Sequence, residues 1–236
     1  MADFIESARA ILSQSERRME ATANNVANIT TPGFKNERLY SEMSAGTDAL
    51  APETLLKQTV DFTQGQLSKT SNPLDLAIAG PGMFRLAGAD GSTVYTRSGQ
   101  FKLVDGGRVV NAQGLALQSA DGGDLIVANQ NIQILADGTV LDGDRPIAKV
   151  GVYQAAAGAQ MQPLGGSLFS AAEGAVDEVA QPSVRQGMLE ASNVALANEM
   201  VNMMDALRQA EGAAKLVQTY DDLMGKAVST FGQGTR

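Results

Sequence analysis

Two stretches at opposite ends of the chain carry large side chains every seven positions, and this spacing constrains the fold more than any other feature. Near the N-terminus Ile5, Leu12, Met19 and Val26 recur at that interval, with Ala8, Ser15 and Thr22 three positions after the first three. Near the C-terminus Leu196, Met203, Ala210, Val217 and Met224 recur likewise, and Asn193, Met200, Leu207, Ala214 and Asp221 precede each of them by three. A seven-residue period, rather than a looser 3.6, implies left-handed packing of each helix against another helix instead of a sheet. The plainer alternative is two amphipathic helices lying separately on a central domain. Against it stands length: the C-terminal pattern runs for about 35 residues, roughly 50 Å at 1.5 Å per residue, so this helix is expected to project.

Glycine and proline mark out the middle. Residues 3–28 contain neither, residues 31–187 hold all seven Pro and most of the 25 Gly, and residues 188–230 are again nearly Gly-free. Turn pairs recur at Pro81-Gly82, Asp90-Gly91, Asp105-Gly106, Asp121-Gly122, Asp137-Gly138 and Asp142-Gly143, a spacing that suits short antiparallel strands. Leu74–Ile78, Thr93–Arg97 and Leu125–Val127 have the β-branched and alternating character of those strands. The expected fold class is therefore α+β, a β-rich central domain between terminal helices. The expected division is 1–30 and 188–236 as one helical domain, 31–70 as a linker or extended segment, and 71–187 as the central β domain. Within the linker, residues 53–60 read as a short helix.

Inventory excludes most chemistry. The 236 residues include no Cys and no His, which removes disulfides, the usual zinc ligand sets, and Cys-His or Ser-His-Asp catalysis. A net charge of −8 argues against a phosphate-binding surface, so no nucleic acid is expected as a partner. Gly80-Pro81-Gly82 resembles the start of a dinucleotide fingerprint, but Arg85 stands where the third Gly belongs and strand-like sequence follows. Asp137, Asp142 and Asp144 lack the ordered ligand spacing of a calcium loop. No catalytic residue, cofactor, metal ligand or small-molecule substrate is expected. No apolar run is long enough to cross a membrane, and Asp3 and Glu6 make the start of the chain unlike a cleaved secretory signal.

The most informative local pattern is Ala23-Asn24-Asn25-Val26-Ala27-Asn28-Ile29-Thr30-Thr31-Pro32-Gly33-Phe34-Lys35. Asn is a poor residue for a helix interior unless its amide is bonded, and Asn24 and Asn28 lie one turn apart on one face. Capping accounts for one Asn. Three within five residues suggest bonding across a helix interface that sets register.

This segment is similar to the N-terminal signature of bacterial flagellar rod and hook proteins, where an Asn-rich helix end enters a Thr-Pro-Gly-Phe-Lys turn. The resemblance continues through Asp61–Gly65, Asn72–Gly80, Tyr95–Phe101, Gly187–Val194 and Glu199–Val201. It implies a structural axial subunit, exported by the flagellar type III apparatus without a cleaved signal and located in the periplasmic span of the basal body. Its partners would be copies of itself and neighbouring rod subunits, with the terminal helices paired as a coiled coil in the assembled rod. Residues 36–43 lack the acidic-Leu-Leu-aromatic run of distal-rod members, and the middle is too short for a hook, so the resemblance points to the proximal-rod type. Alternatives are a distal-rod or hook-type member of the family, or a soluble β-domain binding module with helical dimerisation arms. The expected assembly interface comprises Ile5, Leu12, Met19, Val26, Asn24 and Asn28 near the start and Leu196, Met200, Met203, Leu207, Val217 and Met224 near the end.

Overall fold

The computed structural model describes residues 2–44, 53–88, 91–129, 132–172 and 174–233. The chain divides into two compact units, one made of Met1–Ala27, Glu37–Thr59 and Ala195–Arg236, the other of Asn28–Asn36 and Val60–Val194.

The first unit is built on two helices, α1 (Ala2–Ala27) and α2 (Leu196–Gln233). The absence of Gly and Pro from α1 lets it run unbroken for 26 residues, and Glu199 in the first turn of α2 complements the partial positive charge there. The two helices pack antiparallel. Asn25 near the end of α1 meets Glu199 at the start of α2, and Arg18, two turns back, meets Gln209 further along it. Strands Glu37–Ser44 and Glu53–Val60 pair as a two-stranded sheet. Residues 53–60 are thus a strand, which corrects the helix expected there. The Leu, Lys and Gln of this segment suit a helix locally, but pairing with 37–44 satisfies its backbone, and such tertiary pairing overrides a weak propensity.

The second unit is β-rich and almost entirely antiparallel. Its nine-stranded sheet is centred on Met83–Ala87, which pairs with Thr93–Thr96, with Ala116–Leu117 and with Val152–Ala155. That centre is buried on both faces. Phe84 and Leu86 point into the main core with Ile78, Leu117, Val140 and Val152, while Met83 points into a smaller cluster with Tyr95, Tyr153 and Phe169. A three-stranded meander of Ile132–Ile134, Thr139–Asp142 and Arg145–Lys149 adds Ile132, Ile134 and Val140 to the main core. Its edge strand carries Pro146 beside an irregularity in register at Val140/Leu141, the kind of position where a strand tolerates proline. Of the expected turn pairs, Pro81-Gly82 is the tightest: Gly82 has φ +119° and a Cβ there would stand 2.5 Å from Val152 Cγ1. Asp90 lies outside the described residues.

The unit boundaries differ from those expected. The stretch 31–70 is divided, with 37–59 joining the helices and the rest joining the β unit, which also continues past 187 to Val194. Leu125–Val127, expected as a strand, is extended with alternating burial but forms only an isolated bridge, at Ile126.

The two-sided core sets a direct test. Leu86 is fully buried and Ile126 is 58% exposed. Leu86→Ala should cost about 2–5 kcal/mol and Ile126→Ala less than about 1 kcal/mol, read as urea midpoints of the folded chain.

Candidate assembly site

Within the helical unit, the seam between α1 and α2 is made of small residues. Ala8, Ser15 and Thr22 of α1 are buried, as are Ala206 and Ala213 of α2. Ser15 satisfies its hydroxyl by donating to the Ile11 carbonyl within its own helix, 2.9 Å away, so it can occupy an apolar seam. Small side chains bring helix axes toward the short end of the usual range, about 8 Å. Larger residues then flank the contact instead of filling it.

This arrangement places the expected interface residues in three groups. Leu12, Met19, Val26, Met203 and Val217 are half-buried along the seam. Ile5, Leu196, Met200, Leu207 and Met224 are exposed, between 41% and 57%. The third group is amide. Asn24 donates to Glu37 Oε2 at 3.1 Å, and Asn28 Oδ1 accepts from the Thr31 hydroxyl at 3.1 Å in the turn that follows α1. The row on α2 that faces α1 is Glu199, Ala206 and Ala213, one residue before the expected Met200, Leu207 and Ala214. Hydropathy favours the larger residues; a tight helix pair favours the smaller ones.

Asn25 is the amide that ties the helical unit together. It is 1% exposed, its Nδ2 donates to the Glu37 carbonyl at 2.9 Å and to Glu199 Oε2 at 3.3 Å, and its Oδ1 accepts from the Glu37 amide at 2.9 Å. One side chain therefore bridges α1, α2 and the start of the two-stranded sheet. The pattern of three Asn signals bonding at this place, but nothing in the spacing says that the middle one is buried.

In the β unit a second polar centre lies at Glu190, whose side chain is 1% exposed. Lys35 Nζ donates to its Oε1 and Arg97 Nε to its Oε2, both at 2.6 Å. The Gly65 amide also donates to Oε1. The two cations are completed by backbone carbonyls: Lys35 by Thr63, Arg97 by Ile78, Gly80 and Gly82. Burial lowers the pKa of the Lys35 ammonium below its usual 10.5 even though Glu190 pulls it the other way. Nearby, Asn193 accepts from the Asn36 amide and donates to the Asp61 and Thr63 carbonyls, so the segments at 35–36 and 61–63 are held twice.

The turn at Thr31-Pro32-Gly33 delivers Lys35 to this centre. The Gly33 amide donates to the Glu190 carbonyl at 2.7 Å, with φ +69°. A Cβ at Gly33 would fall 2.2 Å from the Ser98 amide nitrogen, so no other residue fits without moving backbone. No group of acidic, His or Cys side chains able to hold a metal occurs among the described residues.

Three family models match the chain: flagella basal body rod protein over residues 5–35, the flagellar hook protein FlgE/F/G D1 domain over 77–141, and the flagellar basal body rod FlgEFG protein C-terminal domain over 185–230. The chain is 33% identical to the flagellar basal-body rod protein FlgF of Salmonella typhimurium, an alignment covering 96% of this chain and 97% of that one. The chain belongs to the flagellar basal-body rod protein family. Other members include FlgF of Caulobacter vibrioides, 30% identical over 92% of this chain and 93% of its own, and FlgG of Agrobacterium fabrum, 30% identical over 88% and 91%. In this rod protein each matched segment contributes one member of the buried ion triad: Lys35 from the first, Arg97 from the second, Glu190 from the third. The motifs that carry the resemblance are the ones that meet.

Glu190→Gln leaves two buried cations facing a neutral amide and should cost about 3–5 kcal/mol in urea unfolding. Lys35→Met should cost less, because Arg97 still neutralises Glu190. The Lys35 shift also has a sign. Between its folded pKa and 10.5 the unfolded chain binds the extra proton, so stability rises with pH across that window. Wild type should gain on Lys35→Met as pH climbs through it, measured as the difference in unfolding free energy.

Proposed function

We infer that this chain is a structural, non-enzymatic subunit of the bacterial flagellar basal-body rod, assembled helically through its terminal helices into part of the drive shaft. The observation that carries this reading is the surface of α2. At 100° per residue, Leu196, Met200, Met204 and Leu207 fall on one flank of the seam, and Leu216 and Leu223 fall on the other. They are 43–61% exposed. A helix that spends one face on its partner and keeps apolar side chains on both flanks is suited to neighbours on both sides. Contacts between unlike faces that do not close into a ring generate a helical array.

The interface we propose combines the half-buried seam positions Leu12, Met19, Val26, Met203 and Val217 with the exposed Ile5, Leu196, Met200, Leu207 and Met224, while Asn24 and Asn28 fix the end of α1. In the assembled rod the helices pair as a coiled coil. The likeness to FlgF along nearly the whole of both chains supports a proximal position among other rod proteins. Export by the type III apparatus without a cleaved signal, location in the periplasmic span, and a surface with no nucleic-acid or small-molecule partner complete the reading. The net charge of −8 supports the exclusion of nucleic acid. No helix of the described residues is long and apolar enough to cross a membrane.

The test separates folding from assembly. Met200→Asp with Leu207→Asp, both on exposed positions, should shift the melting temperature of the isolated chain by no more than about 2–4 °C. The same variant should be absent from purified basal bodies and leave cells non-motile. Normal incorporation and swimming would mean that this flank of α2 faces solvent in the rod.

A further inference from the structure

The helical unit has a cleft of about 580 Å³ between α1 and its two-stranded sheet, lined among others by Arg17, Glu20 and Asn24 from α1 and by Glu37, Leu39 and Gln58 from the sheet. Glu37 is 8% exposed. Asn24 and Gln58 both donate to its Oε2, at 3.1 and 2.8 Å, yet no cation among the described residues lies within ion-pair distance of its carboxylate. Arg17 and Glu20 stand exposed on the rim and are not paired with each other or with Glu37. Buried carboxylates are ordinarily matched by a cation. Two amides only partly supply what this one lacks, and the cleft is open to receive the rest.

The same unit presents a matching element that cannot reach the cleft in its own chain. With Asn25 against Glu199 and Arg18 against Gln209, α1 runs out opposite about residue 223, so α2 continues past it for roughly ten residues, or 15 Å. Burial agrees: Ala213 is 2% exposed, whereas Leu223 is 61% and Val228 69%. Beyond residue 223 the only charged residue in the helix is Lys226. Along α2, Lys226 is about 30 Å from the level of Glu20.

We propose that the projecting end of α2 from a second copy of this chain docks in this cleft, placing Lys226 against Glu37 and Glu20, with Leu223 or Val228 against the apolar floor at Ala21 and Leu39. A cation on an apolar helix end matches a cleft where two carboxylates, Glu20 and Glu37, outnumber one cation, Arg17, and where Ala21 and Leu39 supply apolar surface. Cleft and helix end belong to one chain but to different faces, so the contact is heterologous and can repeat from copy to copy. The proposal rests on the helical-assembly reading above and adds the residues that set the contact.

Carbodiimide, which joins a carboxylate to an amine without a spacer, tests it in purified basal bodies. The expected product migrates as a dimer and contains a peptide with Lys226 joined to one with Glu37 or Glu20. It should be lost in Lys226→Gln, and Glu37→Gln should lower its yield at least fivefold while the isolated chain keeps its circular dichroism spectrum and melting temperature. A Lys226 link to a different rod protein, a link that leaves monomer mobility, or undiminished dimer in both variants overturns the proposal while the rod assignment stands. Absence of the chain from basal bodies would overturn the rod assignment itself.

Discussion

One buried carboxylate organises the β unit. Glu190 faces two cations within 2.6 Å and accepts a backbone amide besides, so the two cations exceed the one acid in direct contact, and backbone carbonyls accept their remaining N–H groups. Such a centre adds little to stability over a well-packed apolar replacement, but it depends on its acid, because removing Glu190 strands two cations in a low-dielectric site. Its value is in specification. Lys35, Arg97 and Glu190 come from three sequence-distant segments, and only one arrangement of these segments satisfies all three. Gly33 sharpens the constraint, since its close approach to Ser98 admits no side chain.

The helical unit works by a different economy. Its seam buries alanines, a serine and a threonine, so the two helices lie close while their larger residues stay on the flanks. A seam of Leu and Met would bury more apolar area within the chain and leave less for neighbours. Specificity comes from polar contacts at the end of α1, where Asn25 bonds both to Glu199 and to the backbone at Glu37. A single buried amide of this kind sets register, because slipping by one turn would leave it unbonded.

The layout of helix, β-rich middle and helix was legible from Gly and Pro distribution and from the seven-residue spacings, both of which follow directly from backbone geometry. On α1 the small row Ala8, Ser15 and Thr22 is buried at the expected offset, while Ile5 of the large row is exposed. On α2 the flanking row was displaced by one position, as Met200 and Leu207 outweigh Ala206 and Ala213 on any hydropathy scale and tight packing inverts that preference. Strand 53–60 was hidden because its composition suits either state and only pairing with 37–44 decides. The ion triad was present in the sequence as separate motifs. No local pattern tells that Lys35, Arg97 and Glu190 share one pocket, because their contact is set by topology across more than a hundred residues. The domain edge placed at 187 cut between the strand that ends at Gln186 and Glu190, where no Pro or Gly cluster marks the true limit.

The separation of 155 residues between Lys35 and Glu190 makes the β unit a structure with a late key. Closing so long a loop is entropically slow, and contacts of this range set folding rates more than stability. Until Glu190 arrives, burying Lys35 and Arg97 together would bring two like charges together without the carboxylate they share, which is unfavourable. In a chain emerging N-terminus first, the nine-stranded sheet has all its strands before residue 180, whereas Leu67–Lys69 and Leu76–Ile78 wait for their partners Met188–Glu190 and Val184–Gln186 near the C-terminus. The order of the residues along the chain acts as a timer on its own folding.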